Sequence, residues 1–354
     1  MLIDGVRVES GSLGAAQLLQ LMRDQIGHIE VVNGNVSALY GSSAIGGVVQ
    51  IFTKEREPHP PRFYVETEYG SYHTQRQAVD VNGALDKEGR TTFSFDVSRE
   101  KTDGFSSLDP AKALNANPNA NGYLNESIAA TVRHTFGDKW DAGVRFLQSN
   151  GIDSYDDAYG LPIDLNESHN RLRSMSAFAN GKLTDFWTTH VTVAQGQDRA
   201  NPKQNSVYTS LFDSENRQYL WQNDFRLSDD HKIVTGYEHF DQTLDSDQLA
   251  APDRHVNSVY ADYTGRFGQS DVQANVRHDQ YSDFSGANSY YLGYAFNFDA
   301  HWRASASYAG RRSARRVSTT STIRSSAIRR SSRSAAIRSR PRCNTHRRRW
   351  AWRA

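Results

Sequence analysis

The chain has 354 residues, of which 37% are hydrophobic and 11% aromatic, and its mean hydropathy is −0.70. Few aliphatic and many aromatic residues do not suit a disordered chain, and they favour strands with one apolar face. The formal net charge is +1, but residues 311–354 carry 15 of the 41 basic residues and no acidic residue. Residues 1–310 therefore hold 41 − 15 = 26 basic groups against 40 acidic ones.

Three features are excluded or not expected from the sequence: a membrane-spanning helix, a disulfide framework and a signal peptide. No apolar run approaches the roughly 18 residues of a spanning helix, which excludes a helical membrane protein. The single cysteine, Cys343, excludes a disulfide framework within the chain. The N-terminus has no basic segment followed by an apolar one, so we expect that this chain has no signal peptide.

The most patterned stretch is residues 29–54, IEVVNGNVSALYGSSAIGGVVQIFTK. Two alternating apolar runs flank a segment rich in Gly, Ser and Asn, which predicts two strands and a glycine-rich connection. No Gly-Lys-Ser/Thr follows the glycines, so the stretch is not a phosphate-binding loop. The side chains expected to fill a small core here are Ile29, Val31, Val48, Ile51 and Phe52.

Residues 63–309 repeat one pattern: an alternating stretch, a short polar turn, a second alternating stretch and a long polar loop. Period-2 alternation is typical of strands with one apolar face. The pattern predicts about thirteen strands. They lie near 63–70, 74–84, 91–99, 127–136, 140–149, 171–183, 186–196, 215–227, 231–244, 254–267, 270–281, 287–298 and 301–309.

The connections between these strands alternate in length. Tight turns are predicted near 137–139, 184–185, 228–230, 268–269 and 299–300, and long polar loops near 100–126, 150–170, 197–214 and 245–253. Short turns at one end, long loops at the other and aromatic residues beside the short turns are typical of an outer-membrane β-barrel. The alternative is a soluble β-sandwich or propeller, whose strands are shorter and whose turns are more even.

Residues 29–54 resemble the end of the plug domain of TonB-dependent outer-membrane receptors. The resemblance is dense at Ser-Ala-Leu-Tyr-Gly-Ser (37–42) and at Ala-Ile-Gly-Gly-Val-Val (44–49). Residues 2–7, Leu-Ile-Asp-Gly-Val-Arg, resemble an earlier strand of the same plug. The departures from the family pattern are Asn33 for Arg, Asn35 for Pro and Gln50 for Asn.

This resemblance implies an all-β fold with a small α+β plug remnant, in which a partial transmembrane antiparallel β-barrel supplies about thirteen of the family's roughly 22 strands. It assigns residues 1–57 to the C-terminal part of the plug, residues 58–309 to the N-terminal part of the barrel, and residues 310–354 to a basic tail that we expect to be disordered. The location implied is the cell outer membrane.

Within the family, the chain looks most like cobalamin receptors. The features that carry this are the brief loop at residues 9–15, the acidic loop around residues 153–157 and the sequence RASASY at residues 303–308. The implied partners are a small-molecule ligand, the TonB energy-transducing complex and outer-membrane lipid, with no nucleic acid. The alternatives are a ferric siderophore as the ligand, or a passive porin-like or structural barrel, which has no reason to carry a plug.

By the same resemblance, two plug loops are expected to contact the ligand, and their residues are Ser10, Gly11, Ser12, Leu13, Asn35, Val36 and Ser37. Crowded carboxylates between residues 150 and 167 suit calcium, which takes several oxygen ligands. The candidate calcium ligands are Asp153, Asp156, Asp157 and Asp164, and the alternative is a solvated acidic loop. No other cofactor is expected, and no catalytic arrangement stands out, so we do not expect an enzyme.

The two ends of the sequence depart from the family. The chain begins inside the plug pattern, and after Tyr308 it no longer follows the family's continuation. Arginine, serine and alanine without acidic residues suggest out-of-frame translation, so we expect a truncated, frameshifted fragment that does not function as given. The rival is a genuine basic tail for nucleic acid or anionic lipid.

Overall fold

The computed structural model describes residues 1–313 except 15, 34–39, 42–43, 45, 55–57, 107, 110–116, 118, 158, 250–252, 284 and 300, and it describes the backbone of residues 324–329. Nearly all of this is strand, arranged in a four-stranded sheet and a fifteen-stranded sheet. Short 3-10 helices lie at Leu18–Gln20, Arg23–Gln25 and Ser71–His73. None of the helices in the described part is long and apolar enough to cross a membrane.

The small sheet, called the plug below, has the order β2-β1-β4-β3. Its strands are β1 (Leu2–Ile3), β2 (Val6–Arg7), β3 (Ile26–Asn33) and β4 (Gly47–Thr53). Asp4 and Gly5 join β1 to β2 with φ angles of 49° and 84°, and Asp-Gly favours such a two-residue turn with both φ angles positive. The Asp4 carboxylate accepts hydrogen bonds from the Thr53 amide (2.9 Å) and hydroxyl (2.7 Å), which ties this turn to the end of β4.

The core of the plug is only partly the predicted one. Val48 and Ile51 are buried, as expected, but the exposed fractions of Ile29 and Val31 are 52% and 59%. The prediction for these two residues was wrong because little of the described chain packs on either face of β3. This strand lies at the edge of the sheet, and nearly all of its residues are exposed. The core instead continues into the large sheet, where Ile3, Val8 and Ile51 pack with Leu147 and Leu172.

The large sheet, called the wall below, is an antiparallel meander that confirms the predicted partial barrel. Each strand pairs with the next along the chain, except that the short β12 folds back on β11, which therefore pairs with β13. The strands are β5 (Arg62–Gly70), β6 (Thr74–Ala84), β7 (Thr91–Thr102), β8 (Tyr123–Phe136), β9 (Trp140–Tyr155), β10 (Asn166–Lys182), β11 (Trp187–Gln204), β12 (Val207–Tyr208), β13 (Phe212–Arg226), β14 (His231–Ser246), β15 (Arg254–Phe267), β16 (Ser270–Tyr281), β17 (Ala287–Asn297), β18 (Trp302–Ser313) and β19 (Arg324–Arg329).

The predicted strands are found, but several are longer than predicted at the end where the long loops lie. For example, β9 runs to Tyr155 and β10 begins at Asn166, so half of the predicted loop 150–170 is strand. Apolar alternation marks only the part of a strand that has one apolar face, whereas the backbone ladder continues beyond it between polar side chains. We call this end of the wall the long-loop end, and the opposite end the short-turn end.

The two faces of the wall differ as predicted. Inward side chains such as Leu147 and Leu172 are buried against the plug, whereas outward ones such as Val144, Val191 and Val259 are exposed. Exposed aromatic residues lie beside the short turns, as expected for a membrane–water interface. They include Phe136, Trp140, Phe186, Phe267, Phe298 and Trp302.

The predicted boundary after residue 57 and most of the basic tail lie outside the described residues, so both stay predictions. The backbone of residues 311–313 continues β18, and β19 pairs with β18 inside the segment for which we expect disorder. An edge strand offers unpaired backbone groups to any extended segment, which accounts for such pairing. The expectation of an out-of-frame origin concerns the coding sequence and is not addressed by this pairing.

Candidate functional site: the seat of the plug against the wall

The loop after β2 lies against the wall near the long-loop end. The Gly11 amide donates a hydrogen bond to Ser214 Oγ (2.8 Å), and Asn216 Nδ2 donates one to the Glu9 carbonyl (2.9 Å). Ser10 is buried, and its hydroxyl lies 2.8 Å from that of Ser12. Two residues of the predicted ligand-binding loop are therefore not free to contact a ligand, because Ser10 is buried and Gly11 is hydrogen-bonded to the wall.

The rest of this part of the plug has exposed apolar side chains. Leu13, Leu18 and Leu19 are 83%, 58% and 73% exposed. The backbone beneath them is fixed, because Tyr123 donates a hydrogen bond to the Leu19 carbonyl (2.6 Å). Exposed apolar side chains on a rigid support are typical of a binding surface. We call these three residues the leucine apex.

Two glutamines hold the apex segment to inward side chains of the wall. Gln17 donates from its backbone and side-chain nitrogens to Asp198, both at 3.1 Å. Gln20 is fully buried and donates to Asp153 Oδ2 (2.9 Å), while its Oε1 accepts from Asn125 (3.0 Å). One side-chain amide can donate to a buried carboxylate and accept from another buried amide. The polar contacts that Gln17 and Gln20 make with the wall are therefore hydrogen-bonded pairs.

Two wall glycines are required by the close approach of the plug. A β-carbon on Gly196 would lie 2.0 Å from the Arg7 carbonyl oxygen, and one on Gly151 would lie 1.8 Å from Gln20 Oε1. Neither distance is compatible with any larger residue unless the plug moves. Glycine within a strand often marks such a close approach.

A cluster of buried charges joins the plug to strands β14 and β16. Arg7 Nη2 lies 3.1 Å from Glu238 Oε1, and Arg277 Nη2 lies 2.6 Å from Glu238 Oε2. Arg277 Nε also donates to Asp279 (2.6 Å). These side chains are between 1% and 13% exposed. We call these four residues the charge lock.

The charge lock is balanced and well supplied with hydrogen bonds. Two guanidinium groups face two carboxylates, Gln218 donates to Glu238 (3.1 Å), and Ser258 donates to Asp279 (2.7 Å). Arg7 also donates to the Tyr40 carbonyl (2.9 Å), and burial, with a smaller contribution from Glu30, raises the pKa of the Tyr40 phenol. Moving the plug away would separate Arg7 from Glu238 and leave a buried charge uncompensated, which is costly. The charge lock therefore holds the plug in one position.

A second ionic contact lies on the other side of the plug. The buried Arg76 of β6 pairs with Asp24 of the plug and lies 2.9 Å from Glu68, which also pairs with Arg23. The plug is therefore held to the wall by charge at two places that are far apart in the sequence. The alternation of polar residues on the inward face indicated a wet lumen, but it did not indicate these partners.

The four candidate calcium ligands do not form one cluster. Asp153 lies within β9, bonded to Gln20, whereas Asp156 accepts from Ser106 and Asn121, each at 2.8 Å. A β-carbon on Gly160 would lie 3.4 Å from one oxygen of Asp157 and from one of Asp164, so these two carboxylates approach each other. Among the described residues, no group of three or more His, Cys, Asp or Glu residues could hold a metal ion.

The second predicted plug turn, Asn35, Val36 and Ser37, lies outside the described residues. Sequence reasoning missed Arg7, Gln17, Gln20 and the wall partners of the charge lock. The only local signal was the unusual polarity of the inward positions on β14 and β16. Nothing local could connect Arg7 with a glutamate 231 residues away.

Comparison with known proteins gives the same architecture. A family model described as the TonB-dependent receptor plug domain matches residues 1–48. A vitamin B12 transporter of Photobacterium profundum is 29% identical over 310 residues, covering 86% of this chain and 49% of that protein. A vitamin B12 transporter of Vibrio cholerae is 22% identical over 312 residues, covering 87% and 50%. The chain thus spans about half the length of these relatives.

Solved structures with this fold include siderophore receptors. The siderophore receptor PirA of Acinetobacter baumannii superposes with a TM-score of 0.69 at 17% identity, covering 87% of this chain and 52% of that one. PirA of Pseudomonas aeruginosa gives 0.65 at 20% identity, covering 87% and 53%. A plug seated inside an antiparallel barrel wall defines the class of TonB-dependent receptors. Residues 1–48 of this chain match the plug model of that class, and the curated relatives that the chain resembles include vitamin B12 transporters.

Proposed function

We propose that the chain is part of a TonB-dependent receptor that takes up cobalamin across the outer membrane, rather than an enzyme. The observation that carries the proposal is the leucine apex, which is exposed at the long-loop end while the segment beneath it is bonded to the wall. A receptor needs a rigid surface inside the barrel that faces incoming ligand. A passive pore does not need a plug, so the plug also argues against that alternative.

The ligand class follows from the surroundings of the apex. In the neighbouring loop, Tyr159, Leu161 and Ile163 are 96%, 61% and 77% exposed between the carboxylates of Asp157 and Asp164. A large ligand with apolar faces and amide donors, such as cobalamin, suits this mixture. The curated relatives named vitamin B12 transporters support the same choice. A ferric siderophore is the second candidate, favoured by the structural neighbours, whose likeness concerns the fold alone.

Ligand competition tests this choice. An intact receptor that contains this sequence is folded in detergent micelles, and the binding of fluorescent cobalamin is measured with unlabelled cobalamin or a ferric catecholate as the competitor. We expect cobalamin to compete and the ferric catecholate not to compete. Competition by the ferric chelate alone would transfer the proposal to siderophores. In an intact receptor, we expect uptake to require TonB and the proton-motive force.

Replacing Ser12 with Trp tests the placement of the ligand loop. The Ser12 side chain lies between the buried Ser10 and the exposed Leu13, so a bulky ring there must occupy the space above the apex. We expect ligand affinity to fall about tenfold, the loss of roughly 1.4 kcal/mol. The control is Ser228→Trp in a short turn at the opposite end. Equal affinities in Ser12→Trp and the parent would contradict this placement.

We also propose that the acidic loop binds calcium and that calcium raises ligand affinity. Asp157 and Asp164 supply neighbouring carboxylates, and calcium accepts backbone and amide oxygens as further ligands. A cation that binds one loop conformation stabilises it in proportion to RT ln(1 + [Ca]/Kd). Replacing both residues with Asn should abolish calcium binding in titration calorimetry, whereas Asp138→Asn should not. A double variant that binds calcium like the parent would show that the loop is merely solvated.

A further inference from the structure

The outward face of the wall carries a row of polar side chains near the long-loop end. Arg171 is paired directly with Asn150 on one side and with Arg199 on the other. The row extends over six neighbouring strands, from β7 to β13, in directly paired positions. Its members are Arg99, Glu126, Asn150, Arg171, Arg199 and Asp213.

The position of this row is the level at which the apolar outward surface ends. Four residues nearer the short turns, strands β7 to β10 carry the paired apolar series Phe95, Ala130, Phe146 and Met175, which continues on β11 and β13 as Gln195 and Arg217. In a transmembrane barrel, polar side chains just beyond the apolar band lie among the lipid headgroups. The row therefore lies where a lipid phosphate would be found.

The charges in the row are not balanced at its centre. Arg99 Nε donates to Glu126 (3.1 Å), and Arg199 lies 3.7 Å from Asp213. Arg171 Nε donates only to the Asn150 amide oxygen (3.0 Å), and no carboxylate pairs with Arg171 in the described part of the chain. Like charges directly opposite each other on a sheet are destabilising, as Arg171 and Arg199 are here.

Arg173 adds a third guanidinium beside this pair. It lies two residues from Arg171 on the same face of β10, and within the described residues no carboxylate pairs with it. Its Nε is buried without a hydrogen-bond partner. An anion between Arg171 and Arg199 would relieve their repulsion, and Arg173 adds positive charge nearby.

The surface between these strands is concave. A cavity of about 500 Å³ is lined by Arg171 and Arg199, by the amides of Asn150 and Asn201, and by Glu126, whose carboxylate accepts a hydrogen bond from Arg99. Guanidinium groups bind phosphate through paired, charge-assisted hydrogen bonds. We propose that this cavity binds the phosphate of a membrane-lipid headgroup through Arg171 and Arg199.

The test compares the parent with Arg171→Gln/Arg199→Gln, folded in micelles, for binding of fluorescent phosphatidic acid. A basic side chain at a membrane surface contributes about fivefold in affinity for anionic lipid, so the double variant should bind about twenty-fivefold more weakly. The control, Arg266→Gln/Arg303→Gln, removes the same charge near the short-turn end, where both side chains contact Asp271. It should bind like the parent, and circular dichroism should show equal strand content in all three proteins.

Two results would overturn the proposal. Equal weakening in both double variants would mean that net charge, not this cavity, attracts the lipid. Displacement of the labelled lipid by inorganic phosphate at similar concentration, or equal binding of labelled phosphatidylcholine, would mean that the site does not select a phosphate-headed anionic lipid. Neither result bears on cobalamin binding, because the cavity lies on the opposite face of the wall from the plug.

Discussion

Replacing Glu238 with Gln should loosen the plug by about 3–5 kcal/mol, the cost of removing one partner from a buried ion pair. Glu238 is the carboxylate that both Arg7 and Arg277 contact, so its loss leaves two buried guanidinium groups without the charge that bridges them. The effect should appear in hydrogen exchange as faster opening of the plug strands β1, β2 and β4. Exchange in β9 and β10 should change much less, because the wall ladder is intact.

The matched control for this variant is Glu215→Gln. Glu215 lies on a neighbouring strand but faces outward, where it pairs with Arg217 at 2.7 Å. An exposed pair of this kind contributes about 1 kcal/mol or less. If the two variants open the plug equally, the charge lock does not hold it.

Replacing Gly196 with Ala should displace the plug by steric conflict. The new β-carbon would lie 2.0 Å from the Arg7 carbonyl oxygen and 3.2 Å from Val8 Cγ1. The backbone of either the plug or the wall must therefore move. Overpacking of this kind typically costs about 1–3 kcal/mol. Because Arg7 belongs to the charge lock, the displacement should also weaken its pairing with Glu238. Trypsin should then cleave after Arg7 and Arg23 faster than in the parent.

Gly70→Ala provides the control for Gly196. A β-carbon on Gly70 would meet only Thr74 Cβ, at 3.7 Å, an ordinary contact distance. The Gly70 φ angle of −143° is extended backbone that alanine adopts freely. Trypsin cleavage of the plug at the parent's rate in Gly196→Ala would show that the plug does not approach the wall at this position.

The wall was predictable from the sequence because alternation reports directly which side chains share one face of a strand. The paired stretches around the turn at residues 137–139, for example, are strands β8 and β9 with the predicted turn between them. The ends of strands at the long-loop end were not predictable in the same way. There both faces of β9 and β10 carry polar residues, and a strand in water between polar neighbours has no periodic signature.

The plug and its seat were predictable only in part. The glycine-rich pattern indicated the plug, but residues 2–7, which resemble one strand of the family's plug, form two short strands joined by a turn at Asp4 and Gly5. The exposure of Ile29 and Val31 could not be read from β3 itself, because alternation tells which residues share a face but not whether another element covers it. The charge lock joins residues from three strands, and such contacts depend on the register of the whole wall.

The most direct test of the seated plug is a disulfide between Gly11→Cys and Leu244→Cys in a Cys343→Ser background. A β-carbon at position 11 would lie 3.5 Å from Leu244 Cβ, which is within the range of disulfide geometry. Thr243→Cys is the matched control, since it is the next residue on the same strand and faces outward. We predict that the 11–244 pair forms a disulfide on mild oxidation and that the 11–243 pair does not. Equal yields from the two pairs, or no disulfide in either, would contradict a plug seated against the inner face of the wall.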